Sequence, residues 1–131
     1  MWLSIDPRSS VPIYQQIVDA VKERVAKGAL ASGARLPTIR ELAVDLTINP
    51  NTIAKAYQEL ERAGVIEVIR GKGTFVCPPK PAVAAPPQMS ALHELMTRLL
   101  VEAHHLGVTP EYVLATLQDM IDRWPAKKEE E

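Results

Sequence analysis

Five of the chain's 11 prolines, Pro78, Pro79, Pro81, Pro86 and Pro87, fall between Cys77 and Gln88, interleaved with alanines. Each proline fixes φ near about −65° and removes a backbone donor, so neither a helix nor a central strand survives that density. The segment reads as a stiff, extended linker over residues 78–88. It divides the 131 residues into a first module at 1–77 and a second at 89–125, with a charged tail at 126–131.

Charge separates the same two parts. Residues 1–80 carry 11 Lys/Arg against 8 Asp/Glu, a charge of +3, and residues 81–131 carry 4 against 8, a charge of −4. The basic excess is modest. By itself it shows only which half would face an anionic partner. A single cysteine, Cys77, excludes an internal disulfide. Met1-Trp-Leu-Ser-Ile-Asp6 has neither the basic start nor the apolar run of a signal peptide. No apolar stretch reaches a membrane span. These features lead us to expect a cytoplasmic protein that engages no membrane.

Local signals organise the first module. Ile13, Ile17, Ala20, Val21 and Val25 recur at helical spacing, with Pro12 suited to a first turn and Gly28 to a stop. Leu36-Pro37 demands an extended approach, because the residue before proline avoids the helical region. Thr38-Ile-Arg-Glu41 is a capping box that starts a short helix offering Ile39, Leu42, Ala43 and Leu46 for burial. Asn49-Pro50 starts the next, with Ile53, Ala56, Tyr57 and Leu60 as its inner face and Gly64 as its end. Tyr57 shares that apolar stripe and is expected in the core. Two short helices joined by Thr47-Ile-Asn49 make a helix-turn-helix, which offers its second helix to a DNA major groove.

After Gly64 the period becomes strand-like. Val65–Ile69 and Thr74–Val76 flank Arg70-Gly-Lys-Gly73, which predicts a β-hairpin with a cationic tip whose glycines let backbone approach a surface. That is a wing.

Beyond the linker, Ser90 can cap a helix carrying Leu92, Met96, Leu99, Ala103 and Leu106, stopped by Gly107. Thr109-Pro110 starts another carrying Val113, Leu117, Met120 or Ile121, and Trp124. A lone helix pair cannot hide two such stripes from water, and a second copy of the same hairpin is the simplest cover. Leu92, Met96, Leu99, Leu106, Val113, Leu117, Ile121 and Trp124 are therefore expected to form a dimer interface.

Gly33-Ala-Arg-Leu-Pro-Thr-Ile-Arg-Glu-Leu-Ala43, Asn49-Pro-Asn-Thr-Ile53, Ala56-Tyr-Gln-Glu-Leu60 and Gly71-Lys-Gly-Thr-Phe-Val76 occur in an order that resembles the GntR family of bacterial regulators. Ile5-Asp-Pro7 and Pro12-Ile-Tyr-Gln-Gln-Ile17 narrow the resemblance to its YtrA-like branch, over roughly residues 4–76. That branch is known for a short C-terminal two-helix dimerisation region. The resemblance implies that Arg35 and Arg40 face phosphates or base edges, that Thr52 contacts phosphate, and that Arg70, Gly71, Lys72 and Gly73 form a wing reaching the minor groove. One departure stands out. Many members place arginines where this chain has Pro50 and Ala54. Base reading is therefore expected from Asn49, Asn51 and Lys55, since asparagine suits adenine and lysine suits guanine.

Competing readings are weaker. His93 and His104 share a helix face but stand about 16 Å apart along its axis, too far for one ion. Cys77 has no adjacent His or second Cys, so no metal site is expected. No nucleophile–base pair or phosphate-cradling loop appears, which argues against an enzyme and against a cofactor. Some relatives with a similar head carry an aminotransferase-like domain, for which this length leaves no room. A small-molecule effector, if one acts, would have to bind the dimer interface or the linker, and the sequence names none.

The sequence thus predicts a mainly α fold with a β-hairpin, a winged helix-turn-helix followed by a two-helix dimerisation hairpin. The expected function is that of a homodimeric repressor on a pseudo-palindromic double-stranded DNA operator. The rival expectation is a winged-helix protein–protein interaction module without DNA affinity, which would suit the acidic second half but leave the cationic wing tip unexplained.

Overall fold

Thr38 and Glu41 close the capping box as the sequence predicts. The Thr38 hydroxyl accepts the Glu41 backbone N–H at 3.0 Å, and the Glu41 carboxylate accepts the Thr38 N–H at 2.9 Å. That second bond is the largest influence holding the Glu41 carboxyl below its ordinary pKa. The helix so started, Ile39–Leu46, is the second of five in the computed structural model, which describes residues 3–78 and 89–125. Pro78 aside, the predicted linker lies outside the described residues, as does the tail at 126–131.

The chain divides into two compact units, Met1–Pro79 and Lys80–Glu131. The first contains α1 (Ile13–Ala26), β1 (Arg35–Leu36), α2 (Ile39–Leu46), α3 (Pro50–Arg62), β2 (Ile66–Ile69) and β3 (Gly73–Val76). The second contains α4 (Met89–Leu106) and α5 (Pro110–Asp122). The architecture is mainly α with a small antiparallel sheet, as expected.

In the first unit, α1 and α2 pack on α3 around a single buried cluster. Ile17, Leu42, Ile53 and Leu60 are its fully buried centre. Val18 and Leu3 join it as well, which the predicted α1 stripe does not include. Leu3 is held by a strap around Gln16. The Gln16 side-chain oxygen accepts the Asp6 N–H at 2.8 Å, and its amide donates to the Asp6 and Val11 carbonyls, each at 2.9 Å. This gives a physical role to Ile5-Asp-Pro7 and Gln16. Pro12 stands one residue before α1 in an extended conformation, at the N-cap and not inside the first turn.

Tyr57 is buried as predicted, 4% exposed. Its hydroxyl donates to the Pro37 carbonyl at 2.7 Å and so ties α3 to the start of α2. Burial, with the Glu41 charge adding to it, pushes this phenol up to about 12. The folded state therefore keeps a proton that an unfolded chain releases near its ordinary value. The associated stability is fully present below pH 10, the ordinary phenol value, and is lost as pH rises toward 12. Tyr57→Phe is expected to cost about 1 kcal/mol at neutral pH and to flatten that alkaline loss. Urea unfolding at pH 8 and at alkaline pH checks both.

The sheet has one strand more than the predicted hairpin. Its order is β1-β3-β2, all antiparallel, with Arg35 opposite Phe75 and Leu36 opposite Thr74. The extended conformation that Pro37 imposes on Leu36 leaves two residues shaped to pair with β3. Strand β2 begins at Ile66 and not at Val65, because the Val65 N–H is spent on the Leu60 carbonyl. That bond closes α3 through Gly64, whose φ of 77° is the left-handed value a helix stop of this kind needs.

In the second unit, Ser90 lies within α4 instead of capping it. Thr109 caps α5, its hydroxyl accepting the Tyr112 N–H at 3.1 Å. Ala103 is the buried apolar residue among the described residues of this unit. Leu92, Met96, Leu99, Leu106, Leu117 and Ile121 are exposed, while Val113 and Trp124 are half-buried. The apolar surface is wider than the predicted stripes, because Leu95, Leu100, Val101, Leu114 and Met120 are exposed too.

Candidate nucleic-acid interface

Helix α3 owes its start to Asn49, whose side-chain oxygen accepts the Asn51 N–H at 2.8 Å, with Pro50 in the first turn. Ahead of it, Thr47 ends α2 at φ 55°, the only positive φ outside glycine among the described residues. This left-handed residue breaks the helix and re-aims the chain, so the turn of the helix-turn-helix is built at a steric cost. With Ile53, Ala56, Tyr57 and Leu60 buried, the opposite face of α3 carries Asn51, Lys55 and Gln58, all exposed. Thr52 is half-buried beside them. Gln58 was not predicted as a site residue. Its signal was available in the spacing 51, 55, 58, which runs one turn after another opposite the core stripe.

Asn49 is less free than the sequence suggests. Its oxygen spends one of two lone pairs on the cap, so a base edge would have to share that oxygen with the Asn51 N–H. Lys55 is also engaged. Its Nζ lies 4.0 Å from the centroid of the Tyr14 ring on α1.

Arg35 on β1 and Arg40 on α2, both exposed, line one open groove of about 700 Å³ with Leu36, Pro37, Glu41, Val44 and Asp45. Arg35 also reaches the wing. A methyl group at Gly73 would stand 3.1 Å from its Nε, so the bare glycine leaves room for the arginine across the sheet. At the tip, the Lys72 N–H donates to the Ile69 carbonyl at 2.9 Å. Gly71 stands at the third position of that turn with φ 79°, a value this position of a type II turn requires. Arg70 and Lys72 project from it exposed. The structure therefore joins Arg35 to Arg40 through the groove and to Gly73 through the sheet.

The cations of this unit's predicted site stay out of ion pairs. Ion pairs are seen at Lys27–Glu23, Arg62–Glu59 and Arg123–Asp119, and none of these includes Arg35, Arg40, Lys55, Arg70 or Lys72. Unneutralised guanidinium and ammonium groups suit phosphate, and exposed amides on a helix suit base edges. Among the described residues no group of three or more His, Cys, Asp or Glu is placed to hold a metal ion. No described helix is long and apolar enough to cross a membrane.

A helix-turn-helix followed by a β-hairpin with a cationic tip defines a winged helix-turn-helix protein. Residues 13–76 match the family described as "Bacterial regulatory proteins, gntR family". The chain is 44% identical over 109 residues to the HTH-type transcriptional repressor YtrA of Bacillus subtilis, covering 83% of this chain and 84% of that one. It belongs to the GntR family of transcriptional regulators, and its relatives place it with the YtrA type. A solved YtrA from Sulfolobus acidocaldarius, described as a GntR-family transcription factor, is 37% identical with a TM-score of 0.62, covering 77% of this chain and 99% of that one. A structure described as a transcriptional antiterminator from Listeria monocytogenes EGD-e is 38% identical with a TM-score of 0.77, covering 92% and 89%. The DNA-binding domain of AraR, solved in complex with operator ORX1, is 28% identical with a TM-score of 0.51 over 57% of this chain and 93% of that one.

Proposed function

We propose that this protein is a homodimeric repressor that binds a pseudo-palindromic DNA operator sequence-specifically. The observation that carries the reading is the exposed stripe of α3 with its amides and ammonium, on a unit where Arg35, Arg40, Arg70 and Lys72 take part in none of the ion pairs seen. A similar domain, that of AraR, is solved on operator DNA. In this reading α3 lies in the major groove, where Asn51 and Lys55 meet base edges. Thr52, Arg35 and Arg40 contact the backbone. Asn49 serves first as the cap that aims α3, and its amide group adds to base reading from the same position. The tip of Arg70, Gly71, Lys72 and Gly73 lies along the minor groove.

Residues 1–77 act as the reading head, 78–88 as the linker and 89–125 as the dimerisation region. The occupant of the exposed apolar face of α4 and α5 is the same face of a second copy. Homodimers with two-fold symmetry read inverted half-sites, which is why the operator is expected to be pseudo-palindromic.

The direct test is retardation of the protein's own promoter fragment at low salt, with release as salt rises. Phosphate contacts displace condensed counterions, so affinity falls linearly with the logarithm of salt concentration. Lys72→Ala is expected to weaken binding to all sequences about equally and to shallow that slope by roughly one unit. Unchanged affinity and slope would remove the wing tip from the mechanism.

A further inference from the structure

Lys55 is ordered by an aromatic ring and not by a carboxylate. Its Nζ stands 4.0 Å from the centroid of Tyr14. Tyr14 lies on α1, the helix packed on α3, and is itself half-buried against the core. The ring is thus held from behind while its face meets the ammonium. The negative face of an aromatic ring attracts a cation at this distance. A long lysine stem otherwise samples many rotamers, and fixing it for a base contact costs entropy at the moment of binding. A carboxylate could also fix it, but would cancel the charge and occupy donors that a base edge needs. The ring restrains the stem while the charge and the outward N–H groups stay available.

We infer that Tyr14 is a positioning residue for Lys55. Its ring holds the ammonium at the outer face of α3 in the arrangement that meets a base edge. Discrimination at the base pair read by Lys55 then depends on a side chain of α1 that touches no base. This rests on the proposed reading of Lys55 as a base contact.

The test uses the full-length protein, the duplex most enriched from a randomised pool, and its single-base-pair variants. The proteins compared are the native chain, Tyr14→Phe, Tyr14→Leu, Lys55→Ala and the double variant Tyr14→Leu/Lys55→Ala. Lys55→Ala should relax discrimination at one base pair of each half-site. Tyr14→Leu, which keeps apolar packing but loses the ring, should relax the same base pair by about two- to five-fold. It should leave affinity for a scrambled duplex unchanged. Tyr14→Phe keeps the ring and should retain native discrimination, and Tyr14→Leu should add nothing once Lys55 is gone. Proton resonances of the Lys55 methylene beside Nζ should be shifted upfield by the ring in the native and Phe proteins, and not in the Leu protein.

Three results would overturn the inference while leaving the base contact intact: discrimination unaffected by Tyr14→Leu, a Tyr14→Leu loss that persists without Lys55, or a Phe variant as impaired as the Leu variant. A Lys55→Ala protein weakened equally on every duplex would overturn the base contact itself, and the inference with it. The ring-shifted methylene signal, if still present, would show that the failed step is the base contact and not the packing.

Discussion

A protein ending at Lys80 should fold, sediment as a monomer, and bind its operator about 100-fold or more weakly than the full chain. It should fold because the buried cluster of the first unit draws only on residues 3–76, and the capping box, the strap on Gln16 and the whole sheet lie in the same span. It should be monomeric because the exposed leucines and methionines of α4 and α5 are gone. Leu106 is 78% exposed and Leu114 71%, and burying one leucine contributes about 1.5–3 kcal/mol. Several such side chains on one face are enough to hold two copies together against the cost of association. Affinity falls because the second head of a dimer binds at high effective concentration once the first is placed. Sedimentation of both lengths followed by operator titration checks each part. A shortened protein that still dimerises and binds as tightly would put the interface in the winged helix.

The second large effect concerns base reading. Asn51→Ala and Lys55→Ala should each cost about 1–3 kcal/mol on the operator, a loss confined to particular base pairs. The expectation rests on chemistry and on position. Both side chains are exposed on the face of α3 opposite its core stripe, and the residues at 50 and 54 are proline and alanine. Neither of those can replace a lost hydrogen bond to a base. Titration against single-base-pair variants separates the outcomes. Equal weakening on operator and random duplex would make that residue a phosphate contact.

Much of the fold is legible in the sequence because its signals are local. Thr38 with Glu41, Asn49 with Pro50, and Thr109 with Pro110 each fix a helix start through bonds spanning two or three residues. The buried face of α3 followed from spacing alone. What was missed depends on contacts distant in sequence. Strand β1 exists because β3, some 40 residues on, offers it an edge, and Pro37 supplies only the extended shape. Leu3 is buried because Gln16 folds the N-terminal segment back, which no periodicity reports. The site shows the same division. The wing tip and the α3 stripe were legible as residue types at known spacing. The cap that occupies the oxygen of Asn49, the bare glycine beneath Arg35, and the ring beneath Lys55 are three-dimensional facts. Each changes what the same side chain can offer to DNA.

Sequence-specific binding by two heads related by symmetry is the property on which the proposed function depends. The measurement that tests it most directly is selection of the full-length protein on a pool of randomised duplexes, followed by sequencing of the bound fraction. Two symmetric heads should enrich an inverted repeat whose half-site centres lie about one helical turn, or a multiple of it, apart. Enrichment should weaken when Asn51 or Lys55 is replaced by alanine. Bound and unbound pools of identical composition would contradict it, and would return the winged helix to the role of a protein-binding module.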